Sequence, residues 1–186
     1  FAQMGAAIRE RVRLLQALRH AVESERLFVV YQPQVNLTSG KLVGVEALIR
    51  WRNEDGTYVP PDRFIPLAEA SGMIVAIGDW VLRVSCMELA RLQALGLPDL
   101  RMSVNVSQIQ FRHPEFLEKL RSALTDTGIN PKCLELEITE SVAMEDPDFM
   151  LETLHKVRKM DISIAIDDFG TGYSSLSHLR QLPIDR

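Results

Sequence analysis

The stretch LELEIT, residues 134–139, alternates without a break. Leu134, Leu136 and Ile138 fall on one side of an extended chain, and Glu135, Glu137 and Thr139 on the other. Successive side chains of a strand point to opposite faces, so this stretch is predicted to be a strand with one apolar and one acidic face. The same split recurs on either side of it. Residues 162–167 give Ile162, Ile164 and Ile166 against Ser163, Ala165 and Asp167. Residues 102–107 give Met102, Val104 and Val106 against Ser103, Asn105 and Ser107. Residues 43–50 give Val43, Val45, Ala47 and Ile49 against Gly44, Glu46, Leu48 and Arg50, and the run before them adds Gln32 and Gln34.

Between these strands stand helical segments, near 63–95 (interrupted around Gly72), 114–127 and 147–160, and another is predicted from Ser174. Strands separated by full helices imply parallel βα units. A doubly wound sheet, covered on both faces, would be apolar on both. One small or polar face per strand fits a barrel instead, with apolar faces toward an outer ring of helices and polar faces inward. Barrel sites collect at the C-terminal ends of the strands, where Glu46, Asn105, Glu137 and Asp167 fall. The turn TSGK, 38–41, joins the first two strand-like runs as a hairpin. Residues 53–62 read as a loop. The opening IRERVRLLQALRHAVE places Ile8, Val12, Leu15, Ala17, Leu18 and Val22 at helical spacing, and residues 1–20 are expected to connect from an upstream domain.

The 186 residues are 46% hydrophobic and 25% charged, ordinary for one globular core. A net charge of −4 argues against a nucleic-acid polymer as partner. Cys86 and Cys133 lack CxxC spacing and read as core residues in a reducing, cytoplasmic setting. The four histidines are widely scattered, which disfavours zinc. No apolar run approaches the length of a membrane span, so no membrane contact is expected of this segment.

The strand SIAID ends on two adjacent carboxylates, Asp167 and Asp168. Asp168 as a helix cap is one reading; a cation neutralising the pair is the other. The second gains weight because Glu46, Asn105 and Glu137 share the inward parity. Crowded carboxylates without a cation would hold one another protonated. All-oxygen ligands suit magnesium or manganese, and paired aspartates can bridge two ions about 3.5–4 Å apart, as in-line phosphoryl displacement uses.

The blocks YQPQVNLTSGKLVGVEALIRW, SVNVS, ELEITES and IAIDDFGTGYSSL resemble the signature blocks of the EAL-domain cyclic di-GMP phosphodiesterases, in that family's order, from about residue 18 onward. The family takes its name from Glu-Ala-Leu, here Glu46, Ala47 and Leu48. The resemblance implies a TIM-like barrel with an antiparallel first strand, and hydrolysis of cyclic di-GMP to linear pGpG with one or two Mg2+ or Mn2+ ions. It implies Glu46, Asn105, Glu137, Asp167 and Asp168 as metal ligands, with Glu46, Asp167 and Asp168 catalytic. Gln32, Leu48 and Arg50 are implied as substrate contacts. Glu140 is implied as the anchor of the loop after the aspartates, against a plain reading as a first-turn helix charge. A homodimer through the region after that loop, an upstream sensory or cyclase-like domain and a cytoplasmic setting, with a membrane anchor elsewhere in the parent left open, follow on the same ground.

The chain departs from the family at LPIDR, where the pattern continues into strands bearing a lysine and a further glutamate. Residues 21–186 are therefore expected to be a domain whose C-terminal part is missing from this chain. If the chain truly stops there, the barrel is open, its polar face is wet and hydrolysis is lost. The competing functions are a receptor that binds cyclic di-GMP without cleaving it, a dimerisation element, and another magnesium-dependent barrel enzyme such as an enolase-like lyase.

Overall fold

The computed structural model describes residues 2–139, 146–167 and 182–186. The chain begins with helix α1 (Ala2–Glu23) and strands β1 (Leu27–Val35) and β2 (Leu42–Arg52). At the hairpin between the strands the Asn36 carboxamide oxygen accepts from the backbone N–H groups of Thr38 and Ser39, at 3.1 and 2.9 Å. Gly40 supplies the left-handed backbone (φ 66°) that closes it. A two-residue strand β3 (Tyr58–Val59) pairs with the end of β2, inside the stretch read as loop. Its formation follows from Asp55, whose carboxylate accepts from both the N–H and the hydroxyl of Thr57 and folds the turn back on itself.

Helices α2 (Pro61–Ala70) and α3 (Met73–Ala94) come next, separated by Gly72 at φ 74°. Then follow β4 (Arg101–Asn105), a one-turn α4 (Gln108–Phe111), α5 (Phe116–Thr127), β5 (Leu134–Thr139), α6 (Pro147–Arg158) and β6 (Ser163–Asp167). The short α4 has no counterpart in the hydrophobic pattern. Ser107 nucleates it by accepting from the Gln110 N–H at 3.2 Å. The helix expected from Ser174 lies outside the described residues.

Strand order is β1-β2-β4-β5-β6, with β3 attached to β2. β1 runs antiparallel to β2, and β2, β4, β5 and β6 are mutually parallel. Past β6, Ile166 N–H donates to Arg186 O and Asp185 N–H to Ile164 O, both at 2.8 Å, so residues 184–186 run alongside β6. This is the staved wall of a TIM-like barrel with a reversed first stave.

The apolar parity faces outward as expected. Val45, Ala47, Met102, Val104, Leu134, Leu136, Ile138 and Ile164 are buried in one cluster with Phe64, Ile77, Leu82, Leu89, Leu120 and Leu154 from the helices. Trp51 meets Phe64 edge-on, ring centroids 5.6 Å apart. Two expectations are corrected. In α1 the buried stripe is Leu18 and Ala21, flanked by Leu14 and Ala17, whereas Ile8 and Val12 are 59% and 49% exposed. The alanines let the helix axis approach more closely than a wall of branched side chains would. The polar inner face is not uniformly wet: Ser103, Glu135 and Glu137 are buried, because Arg101 and Arg186 reach over the carboxylates.

Candidate active site

Register brings the inward side chains together. Gln32 on β1 stands opposite Glu46 on β2, Glu46 opposite Ser103 on β4, Ser103 opposite Glu135 on β5, and Glu135 opposite Ser163 on β6. One step nearer the C-terminal ends, Asn105 lies beside Glu137 and Glu137 beside Ala165; the step beyond pairs Thr139 with Asp167. Because the pairing steps diagonally across the sheet, Glu46 and Asn105 touch. Asn105 Nδ2 donates to Glu46 Oε1 at 2.9 Å.

Glu137 reports the crowding most directly. Its side chain is 8% exposed. Burial raises its carboxyl to about 7, with the negative charges of Glu46, Glu135 and Asp167 adding to the effect. A serine hydroxyl pulls the other way, and Arg186, half exposed and 3.4 Å from Oε1, does not offset the burial. Glu46 is half-buried, while Asn105 and Asp167 open to solvent at the rim.

Together these residues offer three carboxylates and one carboxamide, donor types that suit a hard divalent cation better than zinc. Among the described residues, no three His, Cys, Asp or Glu side chains are drawn together closely enough to enclose an ion. Here Asn105 presents nitrogen to Glu46, so holding a cation requires its amide to turn over. That turn is inexpensive for an exposed amide. Asp168 and Glu140 lie outside the described residues.

Of the expected substrate contacts, Gln32 is exposed, and Leu48 and Arg50 are half-buried further up β2. Arg50 Nη1 donates to the carbonyl of Ile49 at 2.8 Å. Beside it an open hollow of about 650 Å³ is walled by Phe28, Val30, Tyr58 and Pro60. Parity alone does not reveal the contacts of Arg101 and Arg186 with Glu135, because Arg186 sits in no strand-like pattern.

The protein family described as EAL domain matches residues 15–186. The bifunctional diguanylate cyclase/cyclic di-GMP phosphodiesterase MucR of Pseudomonas aeruginosa is 43% identical over 180 residues, 97% of this chain and 26% of MucR. Cyclic di-GMP phosphodiesterase NbdA of the same organism is 40% identical over 176 residues, 95% of this chain and 22% of NbdA. The chain thus spans about a quarter of the length of these relatives. Among solved structures, the MucR phosphodiesterase in complex with c-di-GMP superposes with a TM-score of 0.90 at 42% identity, covering 94% of this chain and 70% of that one. The EAL enzyme Bd1971 with cAMP and cyclic di-GMP bound gives 0.91 at 31% identity, covering 99% and 51%.

Proposed function

From the membership of this chain in the EAL-domain family, we propose that it hydrolyses cyclic di-GMP to linear pGpG as the catalytic segment of a larger cytoplasmic signalling protein. What supports the reading is the shared inward parity of Glu46, Asn105, Glu137 and Asp167, with Asn105 bonded to Glu46 and Glu137 raised by burial and by the charges of Glu46 and Asp167. The four residues come from four different strands. A buried carboxyl raised to about 7 by burial and its acidic neighbours is more readily explained as one member of a cation site than as a structural group.

In this reading Glu46, Asn105, Glu137 and Asp167 hold Mg2+ or Mn2+, and Asp168 shares a second ion. A divalent ion held by these residues would supply Lewis-acid stabilisation of the phosphate oxygens and lower the pKa of a bound water. Glu46, Asp167 and Asp168 fix where the water stands relative to the phosphorus. Arg50 leaves the Ile49 carbonyl to pair with a phosphate oxygen, the geometry a guanidinium favours. Gln32 offers its amide from the facing strand, and Leu48 packs against the ligand between them. Glu140 anchors the loop after the aspartates, and that region makes a homodimer contact. Upstream sensory or cyclase-like segments regulate the reaction in the parent protein.

The test is hydrolysis of cyclic di-GMP by the full-length protein in Mg2+ and in EDTA, compared with Glu46→Ala. Removing a partner behind a metal ligand typically costs 10- to 100-fold, so loss of Glu46 itself should cost at least about a hundredfold in kcat. Turnover near the wild-type rate in Glu46→Ala contradicts the assignment. Binding of cyclic di-GMP with no turnover in Mg2+ or Mn2+ identifies a receptor instead.

A further inference from the structure

Beneath the candidate cation site runs a chain of polar contacts that the proposed reaction does not use. Gln34 Nε2 donates to Ser103 Oγ at 3.5 Å, and Ser103 Oγ donates to Glu135 Oε1 at 2.8 Å. Arg186 Nη2 donates to the same Glu135 oxygen at 2.8 Å, and makes a second, longer hydrogen bond to Glu137 Oε1 at 3.4 Å. Arg101 Nη1 approaches the second Glu135 oxygen at 3.9 Å. The Glu135 side chain is only 2% exposed. A carboxylate buried that deeply is costly unless paired, and three partners from β4 and the 184–186 segment pair it.

One guanidinium nitrogen therefore lies between two buried carboxylates, and it is committed to the lower one. A charge-assisted hydrogen bond has its optimum near 2.7–2.9 Å, which the Glu135 contact meets and the Glu137 contact does not. If Glu135 released it, the nearest anion for Arg186 to close upon would be Glu137. There it would compete for the oxygen that a cation needs. We propose that Glu135 is a positioning residue: it captures the Arg186 guanidinium and so keeps Glu137 available to a divalent cation. The inference rests on the reading of Glu137 as a cation ligand. A purely structural ion pair would stabilise the fold without touching cation affinity.

The probe is Mn2+ alone, titrated into the full-length protein without nucleotide and followed by calorimetry and by the EPR signal of free Mn2+. Glu135→Gln removes the charge, while Glu135→Asp keeps it but withdraws it by one methylene. Both are expected to weaken Mn2+ binding about tenfold or more, the scale typical of losing a partner behind a ligand. At saturating Mn2+ the KM for cyclic di-GMP should be unchanged. Adding Arg186→Gln to Glu135→Asp removes the competitor and is expected to restore affinity to within about threefold of wild type, a strongly non-additive pair. Wild-type affinity in Glu135→Asp, or no recovery in the double variant, overturns the proposal. Should the Glu135 variants fail to fold, Arg186→Gln alone decides. It is expected to bind Mn2+ within about threefold of wild type, and a tenfold loss overturns the proposal by showing that Arg186 supports the ion. A wild-type protein that binds no Mn2+ overturns the reading of the site itself, and this inference with it.

Discussion

At the scale of single residues, Glu137 stands where its own charge is disfavoured, first by burial and then by Glu46. The consequence for stability has a definite sign. Its carboxyl titrates at about 7 in the folded protein against an ordinary value of 4.5, so the folded state holds the extra proton between those values. Stability from this group is fully present below about pH 4.5 and is lost as the pH rises through 7. A tenfold difference in proton affinity between folded and unfolded chains is worth about 1.4 kcal/mol, which puts the full loss on the order of 3 kcal/mol before solvent screening reduces it. Glu137→Gln in EDTA is therefore expected to melt higher than wild type at pH 8, with the gap narrowing toward pH 5. Thermal unfolding at the two pH values checks it, and a gap that widens on acidification refutes it. Added Mn2+ should stabilise wild type at pH 8 and leave the glutamine variant nearly unmoved, since the variant lacks the charged ligand.

At the scale of elements, helix α3 leans on α4 through one glycine. A Cβ on Gly78 would clash with the Gln110 carboxamide oxygen, and Gln110 is 3% exposed, so its amide has little room to withdraw. Alanine normally gains close to 1 kcal/mol over glycine inside a helix. Here overpacking should outweigh that gain, and Gly78→Ala is expected to destabilise by about 1–2 kcal/mol net, as read from urea unfolding. A neutral or stabilised variant would mean that Gln110 moves freely. The elements differ in how much the sequence discloses. LELEIT and SIAID show their strand parity because one face is apolar and the other is not, which places Glu137 and Asp167 inside on pattern alone. α1 offers two apolar stripes, and periodicity does not choose between Ile8 with Val12 and Leu18 with Ala21. The choice depends on which face helix α2 packs against. β3 and α4 are each held by the hydrogen bonds of one side chain, a signal too short for any repeat pattern. The grip of Arg186 on Glu135 is hidden for another reason, since it joins positions 51 apart in sequence.

At the scale of the whole molecule, one cluster of buried side chains runs from Leu18 in α1 to Ile164 in β6. The first helix is therefore part of the same cooperative body as the site. Leu18 is fully buried, and Leu18→Ala is expected to cost about 2–5 kcal/mol. The melting temperature of the entire domain should fall by several degrees in a single transition. A separate early transition confined to the helix would contradict this. The order of the strands has a consequence in time as well. β2 is bonded to β1 along one edge and to β4 along the other, with β3 at its end, while among the described strands β1 hydrogen-bonds to β2 alone. In heavy water the β2 amides around Val45 and Ala47 should be among the last to exchange, near the limit set by global unfolding, and β1 should open sooner. Glu46 thus rides on the slowest-breathing part of the protein and Gln32 on a faster one. Cyclic di-GMP should accordingly slow exchange in β1 far more than in β2, because only there does the ligand have motion left to remove.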